Sequence, residues 1–181
     1  MNMKLMPTKH LLKVLSILFA LGCAVTLSGQ DKPLTAGSRT PAPVAGDFNL
    51  IADKALAAMK ARAEELNVKG AAVVAYCEGD TVQSWSSKMI AVGHLTSTPS
   101  NSPAGENNLA IAYTKAAEMA VTLRDSGSLG RPKMKGENGW QGGVMAKGKT
   151  GTLIAAFSGG VSSDDVKVSK AGLEVLAGAG L

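Results

Sequence analysis

Histidine is almost missing from this chain. Of the two in 181 residues, His10 lies near the start and His94 stands alone in the middle. A two-histidine metal site or a Ser–His couple needs more imidazole than His94 supplies, and the carboxylates form no H-E-x-x-H pattern. Cysteine is equally scarce. Cys23 falls in a segment read below as removed or lipidated, which leaves Cys77 without an internal disulfide partner. Cys77 reads as a small buried strand residue. Two Trp, two Tyr and three Phe give no aromatic platform on which bases could stack. The formal charge of +5 is also misleading, because Lys4, Lys9 and Lys13 belong to the N-terminal segment; without them sixteen basic residues face fourteen acidic ones. Nucleic acid is therefore excluded as a partner.

What is present begins with an address. Met1 to Lys13 carries positive charge, and Val14 to Leu27 is an apolar run of fourteen residues. That is shorter than the roughly 20 residues needed to span a bilayer, and it fits the apolar core of a signal peptide. Residues 1–28 are read as that peptide. Ala20-Leu21-Gly22-Cys23 resembles a lipoprotein box with its first two positions exchanged, and Thr26-Leu27-Ser28 is an acceptable ordinary cleavage site. Export is expected by either route, to the periplasm, the cell surface or the medium, with a possible lipid anchor at Cys23. Residues 29–48, rich in Pro, Gly, Ser and Thr, read as a tether. Residues 49–181 remain for one domain.

Hydrophobic periodicity orders that domain as α-β-β-α-β-β-α, an α+β fold with an antiparallel sheet and packed helices. Asn49 caps a helix to about Leu66, with Ile51, Ala55, Met59, Ala63 and Leu66 on its inner face. Ala71–Cys77 and Thr81–Met89 form a hairpin, and Ile90–Asn107 is irregular. A helix from Asn108 to about Arg124 turns Ala112, Ala116, Met119, Ala120 and Leu123 inward. Gly142–Ala146 and Thr152–Ser158 form the last hairpin, the second strand apolar on both faces. Ser162 or Ser163 caps a final helix whose first turn holds Asp164 and Asp165, with Lys170 and Glu174 as an i,i+4 pair.

The last hairpin spells two catalytic strings. Gly143–Thr150, GVMAKGKT, satisfies the phosphate-cradling pattern, but TLIAAF follows it as a strand where the mechanism requires a helix. Lys149-Thr150-Gly151 is the K-T-G of penicillin-recognising enzymes, yet no serine has a lysine three residues later. Both read as a hairpin turn whose glycines permit positive φ and whose lysines stay in water. His94 reads either as an exposed loop histidine or as an axial ligand to haem iron. Tyr76, Tyr113, Met89 and Cys77 are weaker ligand candidates.

Several segments, taken in order, carry a resemblance. Ser158–Leu176 has Ser-Gly, a turn, an Asp and a V-x-K-A-x-x-x-L helix. Gly142-Gly143-Val144 precedes the last hairpin, Thr114-Lys115-Ala116 with Arg124 marks the middle helix, and AAVVAYCEGDTVQSWSSKM forms the first hairpin. From about Asn49 to Leu176 the chain resembles the GlcG/HbpS-like family of haem-binding or "haem-degrading" domains, related to the C-terminal part of PduO-type proteins. The resemblance implies a profilin-like sandwich assembled as a homo-oligomer, and a haem or tetrapyrrole site. It suggests Lys88, Lys115 and Arg124 for the propionates and Met89, Gly142 and Gly143 around the pocket. His94, as the single imidazole of the domain, is the expected iron ligand although the 90–107 loop that carries it has no counterpart in the family. Binding or sensing of haem or another small molecule is the expected role, without robust catalysis. A non-catalytic oligomeric module at the envelope and an enzyme acting on a small organic acid or cofactor are the alternatives.

Overall fold

The computed structural model describes residues 45–128 and 130–181. The signal segment, the Cys23 box and residues 29–44 of the tether lie outside the described residues. The fold is mixed α+β. Strands β1 (Gly70–Glu78), β2 (Ser86–Val92), β5 (Gly143–Lys147) and β6 (Gly151–Ser158) make one four-stranded sheet in the order β2-β1-β6-β5. Every neighbouring pair in it is antiparallel. Two short strands, β3 (Thr96–Ser97) and β4 (Glu106–Asn107), pair as a separate ribbon. Helices α1 (Ala45–Glu65) and α3 (Ser162–Gly178) cover one face of the sheet, and α2 (Asn108–Thr122) covers the other. Among the described residues no helix is long and apolar enough to cross a membrane.

The two central strands explain why both faces need covering. Along β1, Ala72, Val74 and Tyr76 point to α1 and α3, while Ala71, Val73, Ala75 and Cys77 point to α2. Along β6, Leu153, Ala155 and Phe157 share the first face, and Ile154 and Ala156 the second. A period of two with apolar residues in both phases leaves neither side wettable. The α2 face is finished by Met119 and two alanines, Ala112 and Ala116, whose small side chains let the helix lie close to the strands.

Several boundaries differ from the sequence expectation, each for a local reason. The first helix starts at Ala45 rather than after Asn49. Thr81–Trp85 is not strand: these residues are exposed and polar apart from Val82 and Trp85, and pairing begins only at Tyr76↔Ser86. β2 in turn runs on to Val92, since Ile90 and Val92 pack against the α1–α3 core. The 90–107 segment is not wholly irregular, because β3 and β4 pair within it. α2 ends at Thr122, with Leu123 left-handed (φ 52°) and 40% exposed, so Leu123 does not join the core and Arg124 falls beyond the last turn. Val161 rather than a serine takes the N-cap of α3, without a side-chain bond. The ion pair on that helix joins Lys167 to Asp164 at 2.8 Å.

The glycines of the last hairpin serve a different purpose from the one expected. Gly148 and Gly151 do not have positive φ. They are needed for close approach, because a Cβ at Gly151 would overlap the carbonyl oxygen of Cys77 and one at Gly148 that of Leu181. Gly151→Ala should therefore lower stability by about 1–3 kcal/mol through overpacking. Gly178→Ala, at a helical position with nothing within 4 Å of the added carbon, should raise it by about 0.4–1 kcal/mol. Urea unfolding of the two variants checks both signs.

Candidate functional site

The densest polar chemistry in the fold gathers where β6 ends. Lys115 sits on the buried stripe of α2, between Ala112 and Met119, and its side chain is only 3% exposed. Its ammonium donates to the carbonyl oxygen of Phe157 and to Oδ2 of Asp165, both at 2.8 Å. Asp165 lies in the first turn of α3 and is 4% exposed; its Oδ1 accepts the Gly160 N–H at 2.9 Å. Burial pushes the Asp165 carboxyl above the usual carboxylate range, against the opposing pull of Lys115 and the Gly160 amide. The pair thus reaches from the α2 layer past the end of the sheet into the α3 layer.

Gly142 completes this junction. Its φ of 133° is outside the comfortable range of other residues, and a Cβ there would overlap Nζ of Lys115. Its carbonyl accepts from Phe157 N–H at 3.1 Å and from the Ser169 hydroxyl at 2.6 Å.

One wall of a cleft of about 800 Å³ is formed by Lys115 and Asp165. The β3–β4 ribbon and its loop contribute Ser97, Asn101 and Glu106 to the lining, and the segment before β5 contributes Trp140 and Gln141. The ribbon is tied to α2 by the Asn108 N–H, which donates to Leu95 O at 2.9 Å, and by Asn107, whose side chain caps the helix at Ala110 N–H. Asn108 itself is buried. Its Oδ1 accepts from Ser97 at 3.3 Å, and its Nδ2 has no partner among the described residues.

The Trp140 side is held by two carboxylates. Glu118, 1% exposed on α2, accepts Gly127 N–H at 2.6 Å and Gly139 N–H at 3.2 Å. Glu137 takes both arms of Arg131, at 2.6 and 2.8 Å, and the Met134 N–H at 2.8 Å. These bonds hold the Glu137 carboxyl down to about 2, and Glu137 raises the Arg131 guanidinium in turn.

The residues expected to share a site do not share one place. Lys115 and Gly142 meet in the junction, and Gly143 lies next to it, bonded through its N–H to Ser126 at 2.8 Å. Lys88 faces α1 and is paired with Asp53 at 2.7 Å, whereas Met89 faces α2. His94 is exposed after β2, and Arg124 is exposed beside Gly130, both away from the cleft lining. Lys115 is not a rim cation free for a ligand, because Asp165 occupies it. Of the weaker candidates, Cys77 is buried and its thiol is pushed up to about 11 by burial, and Tyr76 bonds Thr150. Among the described residues no group of three His, Cys, Asp or Glu could hold a metal.

Asp165, Glu106, Glu118 and Trp140 are the functional candidates that sequence reasoning missed. A signal existed for one of them: Glu118 and Lys115 are three apart within an apolar helical stripe, a placement that demands partners. Only the Lys147–Thr150 end of the GVMAKGKT string lies at the far end of β6, roughly 20 Å away by strand rise. The string forms β5 and the turn into β6, with Gly79 and Asp80 across a smaller hollow of about 410 Å³.

Haem does not fit the cleft lining. Among the described residues no His, Met, Cys or Tyr side chain lines it to ligate iron, and its lysine is already neutralised. The chain matches no protein-family model, and no curated protein matches it in sequence.

The Glu137 clasp yields a pH prediction. Its pKa is lower in the folded state, moving from 4.5 to about 2. The stability it contributes is therefore complete above about 4.5 and lost as pH falls through about 2. Amide NMR of Met134 and Gly139 should show the loop intact at pH 4 and opening near pH 2. In Glu137→Gln those amides should exchange faster even at pH 6. A transition centred near 4.5 in the wild type would contradict the clasp.

Proposed function

We propose that this is an exported, non-catalytic domain of profilin-like type that binds or senses a small molecule in the cleft beside Lys115 and Asp165. The observation that carries the proposal is the buried ion pair in the wall of a cavity of about 800 Å³, a size typical of small-molecule sites. A buried pair adds little net stability compared with apolar residues of the same shape. The bonds of the pair are satisfied within the protein, so the groups left to meet a ligand are those of Ser97, Asn101, Glu106, Trp140 and Gln141 around it. The signal segment would direct export, and the tether, lipidated at Cys23, would hold the domain at the envelope. β2 and β5, each paired on one side only, offer edges through which copies of the domain could assemble into the homo-oligomer the resemblance implies.

Haem is the second reading, favoured by the exposure of His94. Its imidazole is open to an iron from solution, at a surface position separate from the cleft. The two readings divide on one experiment. Native mass spectrometry of the exported protein, purified gently, should detect a bound small molecule that is lost in Ser162→Trp, which fills the cleft from its rim. Hemin titration should give no His94-dependent Soret band. A saturable Soret shift abolished by His94→Ala, together with an empty cleft, would replace the cleft reading with the haem reading.

A further inference from the structure

We infer that the cleft ligand is a neutral polyhydroxylated molecule, a saccharide unit stacked on Trp140. The inference rests on the small-molecule reading of the same cleft and concerns only the ligand's chemistry. Charge gives the first constraint. The one cation in the lining, Lys115, is neutralised by Asp165, and Glu106 makes no ion pair among the described residues. An anionic ligand would meet an unpaired carboxylate, and the positive N-terminus of α3 at Val161 and Ser162 is already answered by Asp164 and Asp165 in its first turn.

Polar inventory gives the second. Asn101 and Gln141 each present a donor and an acceptor, Ser97 and Ser158 present hydroxyls, and Glu106 presents only acceptors. Hydroxyl groups on a ligand, each able to donate and accept, can match such a mixed set. A purely aromatic or aliphatic ligand would leave it unpaired.

Trp140 gives the third constraint. It is 47% exposed while lining the cleft, so an apolar ring stands among polar groups. A sugar ring has that dual character, with C–H groups on its faces and hydroxyls around its edge. The backbone that carries the indole is anchored one residue earlier, where the Gly139 N–H is bonded to buried Glu118, which lowers the ordering cost of binding.

The test uses the full mature chain carrying Trp85→Phe, so that Trp140 is the only indole. It is titrated with cellobiose, maltose and N,N′-diacetylchitobiose, and separately with citrate and adenosine. At least one neutral disaccharide should change Trp140 emission saturably. Calorimetry should then show that binding is lost in Trp140→Ala and weakened about tenfold in Glu106→Gln. Binding of citrate or adenosine alone would overturn the saccharide assignment while leaving a small-molecule cleft standing. Silence with every disaccharide would overturn it as well, and the bound species found by native mass spectrometry would then define the ligand independently.

Discussion

The contact between Lys115 and Asp165 is the constraint on which the rest of this fold depends. The two residues are fifty positions apart and come from helices on opposite faces of the sheet. For them to meet, the chain must pass both layers beyond the last residues of β6, and the backbone there must make room. Gly142 supplies that room by lacking a Cβ under the ammonium, and its carbonyl, held by Phe157 and Ser169, pins the start of β5 to α3. The Gly160 amide closes the arrangement by satisfying the second carboxylate oxygen. Each partner taken alone would be a buried charge costing several kcal/mol, so the junction is assembled whole or not at all.

That junction also explains where the cleft lies. Helix α3 starts, β6 stops, and the ribbon and the 125–142 loop enter around one point, leaving a polar hollow whose wall is the ion pair. The loop is positioned by Glu118, which holds the Gly127 and Gly139 amides, and by the Arg131–Glu137 clasp, which holds the Met134 amide. What ties this region down is a set of charge-assisted hydrogen bonds.

Much of the frame was legible in the amino-acid order. The double apolar phase of Leu153–Phe157 could only be an interior strand, and the spacing of Ala55, Met59 and Ala63 could only be a helix face. The site was less legible, for identifiable reasons. Lys115 occupies a core position, between Ala112 and Met119, but a long basic residue is easily taken for a solvated one. Asp165 looked like an ordinary partner of the helix dipole, because nothing local points to a lysine fifty residues earlier. Trp140 lies in a glycine-rich segment with no periodicity, and strands as short as β3 and β4 leave no pattern at all. The glycines of the GKT string were read through positive φ, whereas the backbone uses them for close contact.

The most direct measurement is a double-mutant cycle on the junction, with Lys115→Met, Asp165→Leu and the pair, each unfolded in urea. Each single change strands a buried charge and should cost about 3–5 kcal/mol. The double variant should cost far less than the sum, giving a coupling of at least about 2 kcal/mol. Additivity of the two single effects to within about 0.5 kcal/mol would mean that the pair does not hold the layers together.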